Sequence, residues 1–257
     1  MVDNLNHEGV GMTELRVAVV TGGTRGIGRA ITLGLAESGV HVAAGYLSNE
    51  ESAESTRQAA AGMKGSVSLH KVDVGDPDEC MRYVENVIET YGHVDYLVNN
   101  AGINIDRTVR RMSIDDWHQV MRINISGCFY MVKGVIEHMV QRKSGRIVNI
   151  SSIIGETGNV GQANYATAKS GLFGLTKSLA LELAGKGITV NCVAPGFIST
   201  DMLASVPENI IEQIVAKIPV GRLGYPEEVA FAVMNLLDDR ASYITGAVIP
   251  VNGGLDM

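Results

Sequence analysis

The stretch Arg16-Val17-Ala18-Val19-Val20-Thr21-Gly22-Gly23-Thr24-Arg25-Gly26-Ile27-Gly28 decides the architecture. Arg16–Val20 is a short β-branched run whose core is apolar without alternation, as expected of a parallel strand covered on both faces. Gly22, Gly26 and Gly28 then stand where the strand must turn into a helix beginning at Gly26. Glycine permits the sharp turn, lets a pyrophosphate approach the backbone, and lets helix and strand pack closely. A helix starting there aims its free amide hydrogens at the phosphates. The spacing is not G-x-G-x-x-G, so the reading rests on glycines placed directly after the first strand.

The alternation continues along the chain. Val40–Tyr46, Ser66–Val72, Val94–Val98, Arg146–Ile150, Thr189–Val193 and Ala247–Val251 read as further strands. Gly26–Ser38, Glu50–Gly62, Pro77–Tyr91, Ile114–Arg142, Ala163–Leu183 and Pro226–Leu237 read as helices. This order predicts an α/β fold, a Rossmann-like doubly wound parallel sheet of about seven strands with helices on both faces. No linker-like break or repeat separates two halves. Residues 15–257 are therefore expected to form one domain behind a polar extension over residues 1–14. The weakly patterned stretch Gly196–Gly224 is expected to be a functional loop, a lid carrying Phe197, Met202 and Leu203.

With 46% hydrophobic and 19% charged residues, the 257-residue chain has ample material for a core. A formal net charge of −7 argues against general affinity for nucleic acid or an anionic membrane. No apolar run approaches membrane-spanning length, and Met1 to Leu15 lacks the basic and apolar blocks of a signal peptide. Cys80, Cys128 and Cys192 are scattered, so neither a metal site nor a disulfide framework is expected. A reduced cytoplasmic protein is the simplest reading.

Two features speak to chemistry. Val42-Ala43-Ala44-Gly45-Tyr46-Leu47-Ser48-Asn49, at the end of the second strand, contains no carboxylate. An acidic residue there would accept the adenosine ribose hydroxyl and repel a 2′-phosphate. Its absence favours NADP(H), with Arg25 as a planar donor fork and Ser48 and Asn49 as neutral donors. Tyr165 and Lys169 stand four residues apart in one helical stretch, and Ser152 lies thirteen residues before Tyr165 at the end of an apolar run. Ketone reduction needs a proton donor beside the carbonyl oxygen. A free phenol has a pKa near ~10, and a lysine cation on the same helix face favours its ionised form. Ser152 is suited to hold the carbonyl toward the tyrosine.

With these residues in this order, the chain resembles the short-chain dehydrogenase/reductase family from Val17 to Gly254. The likeness rests on Thr21 to Gly28, Asp73, Asn99-Asn100-Ala101-Gly102, Asn124, Ser151-Ser152, Tyr165 with Lys169, and Asn191-Cys192-Val193-Ala194-Pro195-Gly196. It implies a nicotinamide-dependent oxidoreductase with Asn124, Ser152, Tyr165 and Lys169 as catalytic residues. Asn124 would hold a water that relays protons through Lys169. Gly22, Thr24, Arg25, Gly26, Ile27 and Gly28 would bind the cofactor at the glycine turn. Asp73 and Val74 would meet the adenine, while Asn100, Ala101 and Gly102 would line the cofactor. Lys169 would bind the nicotinamide ribose, and Pro195, Gly196, Ile198 and Thr200 would line the nicotinamide.

Within the family, Gly158-Asn159-Val160-Gly161-Gln162-Ala163-Asn164-Tyr165, Pro219-Val220-Gly221-Arg222-Leu223-Gly224 and Asn252-Gly253-Gly254-Leu255-Asp256-Met257 resemble the 3-oxoacyl thioester reductases of fatty-acid and polyhydroxyalkanoate synthesis. That likeness implies a 3-oxoacyl thioester on acyl carrier protein or CoA, including acetoacetyl-CoA. Ser152, Val160, Gln162, Tyr165 and Phe197 are the candidate substrate contacts. Where some acetoacetyl-CoA enzymes place an aromatic and a tyrosine, this chain has Val160 and Phe197. Lys143, Lys186, Arg110 and Arg111 are candidate docking cations for an acidic carrier. The family also implies a homotetramer, with a homodimer as the fallback, built on Ile114–Arg142, Ala163–Leu183 and the C-terminal strand. Met131, Phe173 and Leu179 are the surplus apolar residues that point to such pairing. The alternatives are a secondary-alcohol, sugar or steroid dehydrogenase, or a non-catalytic NADP(H)-binding regulator. The intact Ser152, Tyr165 and Lys169 count against the last.

Overall fold

Seven parallel strands run in the order β3-β2-β1-β4-β5-β6-β7 in the computed structural model, which describes residues 15–200 and 207–256. They are β1 (Val17–Val20), β2 (His41–Tyr46), β3 (Ser66–Lys71), β4 (Tyr96–Asn99), β5 (Gly145–Ile150), β6 (Ile188–Pro195) and β7 (Val248–Val251). All seven expected strands are present, with ends shifted by a residue or two. The unbroken apolar runs are explained by the two faces of the sheet. Val17 and Val19 enter one core with Val84 of helix α3 (Pro77–Tyr91) and Met131 of α5 (Gly127–Arg142). Ala18 and Val20 enter a second core with Ile31 of α1 (Gly26–Glu37) and Val233 of α9 (Pro226–Leu237). Each fully buried valine, leucine or isoleucine contributes about 1.5–3 kcal/mol, so both faces need apolar residues.

The helices begin where local chemistry starts them. Asn49 caps α2 (Glu50–Ala59) by accepting the Ser52 N–H at 2.8 Å. Asp76 caps α3, with Pro77 behind it, and Gly92 ends that helix in a left-handed conformation at φ 82°. Ser113 and Asp116 form a reciprocal capping box at α4 (Ile114–Met121). Helix α1, by contrast, has neither a side-chain cap nor an acidic residue in its first turn.

Two departures from the sequence reading matter. The expected helix Ile114–Arg142 is interrupted by a π-helical turn, Arg122–Ser126, between α4 and α5. No proline or glycine pair announces it, and such turns are recurrent at functional sites. The expected loop Gly196–Gly224 contains α8 (Glu208–Val215), whose good helix formers follow Pro207. Ile211, Ile214, Val215 and Ile218 recur at helical spacing, a one-sided apolar pattern that marks this helix in the sequence, although none of the residues of α8 is fully buried. Met202 and Leu203 of the expected lid, like the extension over residues 1–14, lie outside the described residues. A short α6 (Ile154–Thr157) follows β5, and α7 (Ala163–Leu183) and α9 match their expected bounds. The chain leaves β1 and β4 in opposite directions, and a ligand crevice is expected beyond their carboxyl ends.

Candidate active site

The glycine turn is held from the neighbouring strand. Asn100 Nδ2 donates to the carbonyls of Thr21 and Gly22 at 3.0 and 3.1 Å, and the Thr21 hydroxyl accepts the Asn100 and Ala101 amides at 3.0 Å each. A Cβ at Gly28 would collide with the Gly22 carbonyl and Asn100 Nδ2, so only glycine lets α1 approach this closely. Gly22 and Gly26 have φ of 60° and 49°. A Cβ on Gly26 would stand 3.3 Å from Thr200 Cγ2, which sets the segment after β6 opposite the turn. Uncapped amides, no acidic neighbour and glycine walls together fit a pyrophosphate. Thr24 is buried and its carbonyl accepts the Thr56 hydroxyl at 3.0 Å, whereas Ile27 and Thr200 are half-buried at the mouth.

Beyond β5, buried hydrogen bonds hold the candidate residue Lys169 against the end of the strand. Lys169 Nζ donates to the Ile150 carbonyl at 2.7 Å, and the Ser151 hydroxyl donates to the Lys169 carbonyl at 2.8 Å. These two bonds tie the end of β5 to α7. Lys169 Nζ lies 5.6 Å from the centre of the Tyr165 ring, as the four-residue spacing requires. Ser152 follows directly, its Oγ accepting the Ile154 N–H at 3.2 Å. Asn164 accepts the Tyr165 N–H at 2.8 Å and donates to the Ile105 carbonyl at 3.1 Å, fixing the first turn of α7 to the β4–α4 segment.

Asn124, in the π-helical turn, is fully buried. Its side chain accepts the Ile103 N–H at 2.8 Å and donates to the Ile103 carbonyl at 2.9 Å. A Cβ on Gly102 would lie 3.4 Å from Asn124 Oδ1 and 3.5 Å from Lys169 Nζ. Gly102, Asn124 and Lys169 therefore meet at one point. Ser151, Asn104 and Asn164 are the supporting residues that sequence reasoning left unassigned. Ser151 and Asn164 sit inside quoted motifs, but their roles depend on partners in other elements.

The remaining candidates are distributed as follows. Ser48 and Arg25 are exposed, and Arg25 makes no side-chain hydrogen bond or ion pair among the described residues. Asn49 is engaged as the α2 cap, because its side chain turns back to its own helix. The Asp73 carboxylate pairs with Arg122 at 2.9 Å, and Val74 is buried beside it. Pro195 is buried, Gly196 packs against the Asn252 backbone, and Ile198 is a core residue against Val229 and Val233. Gln162 is buried and bonded to Asn159 and Asn104 at 2.8 and 3.2 Å. Val160 is 88% exposed. Phe197 is half-buried beside a cavity of about 170 Å³ that Ile218, Val220 and Asn252 also line.

A larger open groove of about 850 Å³ runs from Arg25 and Thr200 along α1 and α9 to Phe231, and neither Ser152 nor Tyr165 lines it. Residue chemistry, not cavity size, marks the site. Met131 is fully buried in the core, so it cannot serve an interface. Lys143 and Lys186 precede β5 and β6, at the amino-terminal end of the strands, whereas Ser152 follows the carboxyl end of β5. The six residues of β5 lie between Lys143 and Ser152 and span roughly 20 Å within one subunit. Arg110 and Arg111 are exposed on the β4–α4 segment, on the Tyr165 side. Burial pushes the thiols of Cys80 and Cys192 up to about 12 and that of Cys128 up to about 11, leaving three inert cysteines.

The sequence pattern of a family described as enoyl-(acyl carrier protein) reductase matches residues 22–256. The chain belongs to the short-chain dehydrogenase/reductase family. Among its relatives is the 3-oxoacyl-(acyl-carrier-protein) reductase of Thermotoga maritima, 45% identical over 94% of this chain and 98% of that protein. The acetoacetyl-CoA reductase of Shinella zoogloeoides is 46% identical over 93% of this chain and 98% of the relative. A 3-oxoacyl-(acyl-carrier-protein) reductase of Staphylococcus aureus is 42% identical over 96% of this chain and the whole of the relative. As a member of this family the chain is an oxidoreductase acting on CH–OH/C=O with a nicotinamide cofactor. No helix among the described residues is long and apolar enough to cross a membrane.

Proposed function

We propose that this short-chain dehydrogenase/reductase uses NADPH to reduce a 3-oxoacyl thioester, carried by acyl carrier protein or CoA, to the 3-hydroxyacyl thioester. The observation that carries the reading is Lys169, buried and bonded to Ile150 and Ser151 at the end of β5, with Nζ 5.6 Å from the Tyr165 ring and Ser152 next in the chain, in a protein aligned over more than nine-tenths of its length with thioester reductases. The nicotinamide supplies the hydride to the ketone carbon when bound. Ser152 donates a hydrogen bond to the ketone oxygen, and Tyr165 gives that oxygen its proton. The Lys169 cation steadies the tyrosinate left behind, and a water at Asn124 returns the proton through Lys169. Asp73 and Val74 meet the adenine. Arg25 and Ser48 receive the 2′-phosphate, which no carboxylate at the end of β2 opposes. Val160 and Phe197 flank the acyl group, with Gly196–Gly224 as its cover.

A basic surface at Arg110 and Arg111 suits an anionic carrier on the catalytic side. The exposed Phe129 of α5 and Leu181 of α7 support pairing of these helices across two-fold axes in a homotetramer or homodimer, which light scattering would measure. Steady-state rates with acetoacetyl-CoA, acetoacetyl-carrier protein and a simple ketone, each with NADPH and NADH, test the proposal. Preference for a thioester with NADPH is expected. Equal kcat/KM for the simple ketone would move the assignment to a secondary-alcohol dehydrogenase. Turnover of a 2-enoyl thioester in place of the ketone would move it to the reaction named in the family's description.

A further inference from the structure

We propose that Arg122 is a positioning residue for the adenine end of the cofactor, acting through Asp73 from the same π-helical turn that carries Asn124. The proposal rests on the reading of Asp73 and Val74 as adenine contacts. Arg122 Nη1 donates to Asp73 Oδ2 at 2.9 Å. Asp73 Oδ1 accepts the Gly75 N–H at 2.8 Å, and the Asp73 N–H donates to Glu79 Oε2 at 2.8 Å. Of these three bonds, only the one to Arg122 reaches a distant part of the chain, 49 residues away. The others stay within the turn after β3 and the first turn of α3.

That turn is seated on both ends of the π-helical segment. The Arg122 guanidinium lies over Gly75, where any Cβ would collide with it. At the other end, a Cβ on Gly127 would come within 2.8 Å of the Val74 carbonyl and 3.1 Å of Val74 Cγ2. Residues two apart on a helix point to nearly opposite sides. Arg122 thus reaches Asp73 on one side while Asn124 grips Ile103 on the other, beside Gly102 and Lys169. One turn of helix holds both the adenine end and the catalytic end.

The charge matters as much as the geometry. A bare Asp73 carboxylate would oppose the phosphates of an approaching dinucleotide, and the guanidinium offsets that charge while fixing the rotamer. The pair is partly exposed, with side-chain exposures of 43% for Arg122 and 28% for Asp73, so its removal should leave the fold intact.

Titration calorimetry with NADPH and with 2′-phospho-ADP-ribose, which lacks the nicotinamide, tests the proposal. Arg122→Ala should weaken both ligands by the same factor, about tenfold, and Arg122→Lys should recover most of the loss. Adding Asp73→Asn to Arg122→Ala should cost little more, since the two act as one unit. Unchanged affinity in Arg122→Ala, or a loss confined to NADPH, overturns the proposal. If Asp73→Ala leaves both ligands unaffected, the adenine reading has failed and the proposal falls with it. If Asp73→Ala weakens both while Arg122→Ala weakens neither, the adenine reading stands and only the role of Arg122 is lost.

Discussion

The two ends of the site are built in opposite ways. At the proposed catalytic end Ser151, Asn124, Asn164 and Lys169 are buried, and each is bonded to an element distant in sequence. At the proposed 2′-phosphate end Arg25 and Ser48 are exposed, and Asn49 serves its own helix. Moving a proton in step with a hydride demands geometry set before substrate arrives, which only a packed hydrogen-bonded frame supplies. Telling a phosphate from a hydroxyl needs a cation within reach and no carboxylate nearby, so residue type suffices.

The contrast can be broken most sharply at Tyr165. Tyr165→Phe removes the proposed proton donor but keeps the ring, and turnover should fall by at least ~10²-fold with cofactor affinity largely kept. Near-normal turnover would show that the buried frame does not serve this phenol. Ser151→Ala tests the frame itself. Loss of its buried bond to the Lys169 carbonyl should cost about 1 kcal/mol, lower the melting temperature by ~2–4 °C, and cut kcat about tenfold. A lowered melting temperature with unchanged kcat would mean that the catalytic end tolerates looseness after all.

At the exposed end the effect should be smaller and selective. Arg25→Ala should raise the KM for NADPH roughly five- to tenfold, in the range of one lost charge-assisted bond, and leave NADH nearly unchanged. Equal losses for both cofactors would assign Arg25 to the pyrophosphate or to solvent.

The smallest expected effect lies at the foot of β2. His41 is buried between Ser66 and Ser68, at 2.6 and 3.1 Å, and stacks on Tyr91. Burial, and then the neighbouring His70, push its imidazole down to about 4. The unfolded chain therefore binds this proton more readily, with a pKa near ~6.5. The contribution of neutral His41 is complete above pH ~6.5 and is lost as the pH falls toward 4. Melting temperature should drop across that window, and His41→Gln should flatten the drop. An equally steep drop in the variant would place the acid sensitivity elsewhere in the molecule.

Much of this was legible in local pattern. Seven apolar runs, the glycines after the first of them and the Tyr165/Lys169 spacing are short-range features, and strand positions, turn geometry and helix faces follow from them. The missing carboxylate after β2 is legible for the same reason. Chain periodicity could not reveal that the helix carrying Asn124 opens into a π turn, because nothing in Arg122–Ser126 breaks helical propensity. Nor could it show that Asp73 is held by a residue 49 positions away, that Met131 is core, or that Lys143 lies at the opposite end of β5 from Ser152. All seven strands and most of the helices were determined by the sequence alone, since each is set largely by neighbours within a few positions. The tertiary structure alone decided which polar side chains became the frame of the site. A buried hydrogen bond requires two partners from separate elements, and neither encodes the other's place.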